Sequence, residues 1–188
     1  MKPRFLIATI ATVLVAGLFL ACSNKQEKLE GGVFVETSLT DLGLCPFWAV
    51  NGAGIPDVTE LRFTSVLKHP TLDDRYLDVR FDDLWTTWRR VDGGTRLPQP
   101  YHIAFPFLVP AGTETKLDGI PFMGLQQLSE GPFDSLFPVN GGVDLETGTK
   151  MIRLDTTLSF YGKTYTGDNI KTSVRIIEEF WYGYGCNL

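Results

Sequence analysis

Two histidines, three pairs of adjacent carboxylates and one acidic loop are where this chain could do acid–base or metal chemistry. A catalytic base needs a nucleophile and an orienting carboxylate within reach. His69 precedes Pro70 and Thr71 and reads as a turn residue, while His102 falls on the polar parity of an alternating segment. The pairs Asp73-Asp74, Asp82-Asp83 and Glu178-Glu179 invite comparison with glycosidase carboxylates, which stand roughly 5–10 Å apart across a cleft. Neighbours on a strand point to opposite faces, so none of these pairs serves by itself. Solvated loops and strand ends account for them more simply. Asp144-Leu145-Glu146-Thr147-Gly148, after Gly141-Gly142, could offer oxygen ligands to calcium, yet the full ligand set is missing and a turn explains it as well. The sequence holds no Gly-x-Ser-x-Gly elbow, no His-Glu-x-x-His pair and no phosphate-cradling glycine loop. No catalytic residue, cofactor or metal is assigned.

The aromatic residues are the stronger candidates. Trp85 and Trp88 flank Thr86-Thr87, with Arg89 and Arg90 directly after, and Phe180-Trp181-Tyr182-Gly183-Tyr184 leads toward the C-terminus. Exposed tryptophans and tyrosines make sugar-stacking platforms or protein hot spots. Most of these rings are expected in a core. If one is exposed, polar or glycine-rich surroundings favour Trp88 or Tyr184. Trp85, Trp88, Arg89 and Tyr184 are therefore the candidate binding residues.

The elements that would carry these groups begin with an export signal. Lys2 and Arg4 precede an uncharged apolar run over residues 5–20, Ala21 supplies a small residue, and the text turns polar after Cys22. Leu18-Phe19-Leu20-Ala21-Cys22 resembles the lipobox of bacterial lipoproteins, with Phe19 where leucine is usual. The resemblance implies cleavage before Cys22, a diacylglyceryl group on its sulfur and an acylated amino terminus. Ser23, where an aspartate would favour the inner membrane, implies an outer-membrane anchor in a double-membrane envelope, facing the periplasm. The apolar run falls slightly short of the ~20 residues that span a bilayer, so a retained signal anchor is the lesser alternative. Residues 1–21 are read as signal peptide, 22–32 as a lipidated, flexible tether and 33–188 as one domain.

Lys2 and Arg4 are two of the 17 basic residues, so removing the signal leaves 15 against 22 acidic ones, a formal charge of −7. Without a Lys/Arg cluster such a chain is poorly suited to nucleic acid, where phosphate neutralisation supplies most affinity. With Cys22 lipidated, Cys45 and Cys186 remain as an even pair in an oxidising compartment. One disulfide between them is the preferred reading, and two buried free thiols the other. Closing so long a loop is worth roughly 4–5 kcal/mol in the chain-entropy model.

Beyond the tether, period-two alternation dominates. Val33 and Val35, then Leu61, Phe63, Ser65 and Leu67, then Leu77, Val79 and Phe81 each share a face. Tyr101, Ile103, Phe105, Phe107 and Val109 follow, with Pro106 on the other parity, which suits an edge strand or a bulge. Ile152 to Phe160 and Ile170 to Ile176 alternate as a long antiparallel pair, with a bulge expected near Tyr161 to Tyr165 and turn residues at Gly162-Lys163 and Gly167-Asp168-Asn169. A short helical turn is expected near Gly131 to Phe137, ended by Pro138. These features predict an all-β fold, an immunoglobulin-like antiparallel sandwich of roughly seven to nine strands. Phe160-Tyr161-Gly162-Lys163-Thr164 followed by Gly167 is similar to the final hairpin of several envelope lipoproteins with such sandwiches.

The expected function is non-catalytic: a lipid-anchored envelope protein whose sandwich binds a protein partner or takes part in envelope assembly. A carbohydrate-binding module using exposed aromatics is the alternative, and a hydrolase with an unrecognised site a third. A large contiguous apolar patch would favour the first, and exposed rings flanked by Asp and Asn the second.

Overall fold

In strands such as Val79–Arg90 and Asn169–Trp181 the apolar set is buried on one face and the polar set faces water, which sets the layering. The computed structural model describes residues 32–41, 47–50, 55–68 and 76–183. The strands are β1 (Val33–Asp41), β2 (Phe47–Ala49), β3 (Asp57–Leu67), β4 (Val79–Arg90), β5 (Tyr101–Val109), β6 (Glu114–Pro121), β7 (Met151–Thr164) and β8 (Asn169–Trp181). One sheet has the order β1-β3-β6 and the other β2-β8-β7-β4-β5. Pairing is antiparallel except that β2 runs parallel to the end of β8, with Phe47 beside Glu179. The expected all-β sandwich is the observed architecture: two largely antiparallel sheets around one core.

Phe63 on β3 joins the sheets. Its ring meets Phe107 at 4.7 Å and Phe160 edge-on at 4.9 Å. Leu61, Phe81, Leu84 and Leu158 complete a fully buried centre, each such side chain worth about 1.5–3 kcal/mol of burial. At one margin, Thr37 of β1 and Thr172 of β8 share a hydrogen bond across the sheets, 2.7 Å between hydroxyls. Around Phe180 the larger sheet is covered by chain between β6 and β7: helix α1 (Leu125–Ser129) and 3-10 turns at Phe133–Leu136 and Pro138–Asn140. Phe133 lies 4.7 Å from Phe180. The expected short helical turn is present. Pro138 opens a second turn, and α1 carried no sequence signal strong enough to anticipate.

The long final hairpin differs in detail from expectation. β7 and β8 pair without interruption from Met151↔Trp181 to Lys163↔Asn169, so Gly162, Lys163 and Asn169 are strand residues. The irregularity lies in β4 instead, between Phe81 and Asp83, in its register with both β5 and β7. Gly162 makes room for it. A Cβ there would stand 2.7 Å from Phe81 Cα and closer still to the Arg80 carbonyl oxygen. Pro106, which has no N–H to give a ladder, sits on outermost β5 beside the same bulge. In β6, Gly119 at φ +61° shifts the inward parity from Leu117 to Ile120.

Candidate functional site

The β4 bulge decides which side chains the larger sheet shows to water. Before it Val79 and Phe81 point inward; after it Leu84, Thr86, Trp88 and Arg90 do. Trp85 is therefore 42% exposed and Trp88 only 7%. This corrects the expectation that Trp88 would be the exposed ring: even-numbered residues face the core beyond the bulge. Arg89 is exposed as well. Tyr184, His69, Asp73, Asp74 and the cysteines Cys22, Cys45 and Cys186 lie outside the described residues.

The bulge also turns Asp82 and Asp83 to the same side. Asp82 accepts a hydrogen bond from outward Arg80 at 2.9 Å, and Asp83 bonds Nε2 of outward His102 at 2.8 Å. Both line one surface depression of about 340 Å³, with Tyr161, Lys163, Asn169 and Lys171. The strand-neighbour rule that separated this pair fails here because the extra residue breaks the alternation.

His102 does a second thing. Its ring stacks on Trp85, 4.2 Å between centroids and 17° from parallel. With Asp83 holding the imidazole edge and the imidazole covering one indole face, Trp85 is fixed rather than free to swing. On β7 the cross-strand partner of Trp85 is Ser159, and on β8 the residue level with Ser159 is Ser173. Thr87 and Thr157 continue this hydroxyl-bearing floor. This strip of the outer face, the trough, carries one exposed indole, a row of hydroxyls and charged ends, and its concave part is the depression at Asp82, Asp83, Tyr161 and Lys171.

At one end Lys171 Nζ lies 5.2 Å from the centre of the Tyr161 ring, a cation–π contact. At the other, Asp155 on β7 is gripped from both sides. Arg89 Nη2 donates to its Oδ2 at 2.7 Å and Arg175 Nε to its Oδ1 at 3.1 Å, with a further Arg175 Nη2 contact. The Arg175 hydrogen bond, opposed by burial and helped by Arg89, holds the Asp155 carboxyl below its ordinary range. Along the outer face of this sheet the strand cations are Arg80, Arg89, Arg153, Lys163, Lys171 and Arg175. The strand carboxylates facing the same way are Asp82, Asp83, Asp155 and Glu179. A chain of formal charge −5 thus has one face with two surplus positive charges.

Below the other end of β4 lies a buried ionic knot. The Arg90 side chain is 1% exposed; Nε and Nη2 bond Asp92 at 2.7 and 2.8 Å, and Nη2 bonds Asp144, also 1% exposed, at 2.9 Å. Thr147 gives its N–H and hydroxyl to Asp144 Oδ2. Glu146 takes the Thr95 N–H and hydroxyl and the Arg96 N–H. Burial opposes these charges, yet the hydrogen bonds win: Arg90 is held above its ordinary pKa and Asp92 and Asp144 below theirs. The acidic loop read as a possible calcium site spends its carboxylates on Arg90 and the 95–96 backbone. Among the described residues no cluster of three or more His, Cys, Asp or Glu could hold a metal.

No protein family, characterised protein or solved structure matches the chain. Among the described residues no helix is long and apolar enough to cross a membrane.

Proposed function

We propose that this chain is a non-catalytic, lipid-anchored protein of the cell envelope, an immunoglobulin-like sandwich that works by binding through the outer face of its five-stranded sheet. The observation that carries the reading is Trp85: a large ring held exposed by His102 and Asp83 beside a polar depression. A pinned aromatic loses little freedom on binding, which favours affinity. The lipobox resemblance at Cys22 and the serine after it support an outer-membrane anchor facing the periplasm. A photo-crosslinking residue at position 87, in the trough floor, should give an adduct with an envelope component in intact cells. The same residue at position 116, on the smaller sheet, should give none. No adduct from position 87, or equal adducts from both, would end this reading.

The hydrolase alternative gains one observation, the shared orientation of Asp82 and Asp83. A ligand that crosslinks at position 87 and is recovered cleaved, with cleavage lost in Asp82→Asn and Asp83→Asn, would move the chain to that class.

A further inference from the structure

We infer that the occupant of the trough is an acidic saccharide, lying along β7 with a sugar face against Trp85 and its anionic groups toward Lys171 and Arg89. This rests on the binding role proposed for the same face. The apolar residues there do not merge into one patch. Trp85 lies between His102 and Ser159, Tyr161 between Asp83 and Lys171, and Ile177 beside Asp155. A protein hot spot would want a desolvated apolar centre, whereas this surface alternates one ring face with hydroxyls, carboxylates and cations. That alternation suits a molecule that presents C–H faces and hydroxyl edges in turn. Asp83 and Asn169 can accept from or donate to sugar hydroxyls at the depression.

The anionic character follows from charge. Asp155 neutralises only one of the two arginines that grip it, and Lys171, which shares the depression with Asp82 and Asp83, lies over the Tyr161 ring with no ion pair among the described residues. The surplus of two positive charges on this face of an acidic chain attracts an anion and repels little. From Tyr161 to Asp155 the trough follows six residue steps of β7, ~20 Å at the ~3.3 Å rise of a strand, which is room for an oligosaccharide.

The test is calorimetric titration of the full-length chain in detergent with four probes: hexameric oligogalacturonate, dextran sulfate, neutral maltohexaose and polyglutamate. Binding is expected for one or both acidic saccharides, the two arms separating carboxylate from sulfate ester. Trp85→Ala should weaken it at least tenfold, about 1.4 kcal/mol. Lys171→Gln and Arg89→Gln should each weaken it about threefold to fivefold and reduce its salt dependence. Asp155 keeps Arg175 in the second variant, and Lys171→Gln leaves that pair untouched, so a folding defect cannot imitate the result in both. Equal binding of polyglutamate would show that the face reads charge alone, and preference for maltohexaose would remove the anionic requirement. Either overturns the inference. Silence with every saccharide together with a protein adduct from position 87 overturns it while leaving the binding role intact; silence in both experiments removes both.

Discussion

Trp85 and Trp88 are three residues apart and do opposite work, and the difference is measurable. Trp88→Ala empties a buried site and should cost about 3–5 kcal/mol in urea unfolding. Trp85→Ala should stay within about 1 kcal/mol of the parent, because its ring is half in water already. Equal losses would contradict the assigned faces. The Arg90 knot gives a second residue-scale expectation. Asp144→Asn weakens the Arg90 and Thr147 hydrogen bonds at a buried site while Asp92 still pairs the guanidinium, and should cost about 1–3 kcal/mol. The folded pKa values of Asp92 and Asp144 lie below their unfolded ones. Their stabilisation is therefore complete above the unfolded carboxylate pKa of about 3.9 and is lost as pH falls through the folded values. Acid unfolding followed by far-UV circular dichroism should show this, with the acid-dependent loss smaller in Asp144→Asn. His102 was legible as outward-facing from parity, but its stacking on Trp85 was not, since that depends on which strands are neighbours.

At the scale of elements, the sequence pattern revealed most strands and hid one break. The alternation in β1, β3, β5, β7 and β8 could be read directly. β4 was legible only to Asp82, because the bulge moves the apolar set from odd to even positions and the segment through Arg90 then lacks a continuous rhythm. Trp88 was expected outside because polar residues surround it, and the shifted parity puts it inside instead. β2 has three residues, and β6 carries Lys116, Asp118 and Gly119, so neither gives a period-two signal of useful length. Gly162 links this hidden break to the site. Gly162→Ala should force the β4 backbone away from β7 and destabilise by about 1–3 kcal/mol or more. It should also disturb Asp82, Asp83 and the His102 contact, so ligand binding should fall with stability. Retained binding at full strength would show that the bulge does not position the site.

Across the whole molecule, the parallel pairing of β2 with β8 brings residue 47 level with residue 179. Cys45 is two residues before the one, and Cys186 three beyond Gly183. The expected Cys45–Cys186 bridge lies outside the described residues; where it forms, Cys186→Ser should lower stability by about 2–5 kcal/mol without changing lipidation. Thiol titration of alkylation-trapped, unfolded protein from the envelope checks it; two free thiols would refute the bridge. Mass spectrometry of the N-terminal peptide should find Cys22 acylated, and an unmodified amino terminus there would refute the anchor.

β1, the strand that follows Gly32, belongs to the smaller sheet and Trp85 to the larger one, which would give the sandwich a mechanical role if Cys22 carries the proposed anchor. A pull from such an anchor would enter at Gly32, whose carbonyl accepts from the Lys68 N–H, and would pass into the β1–β3 ladder. A saccharide held at Trp85 would resist from the larger sheet. The load must therefore cross between layers, through the Thr37–Thr172 bond and the interlocked rings of Phe63, Phe107 and Phe160. The core that folds the protein is then also the clutch through which an envelope polymer would be coupled to the membrane.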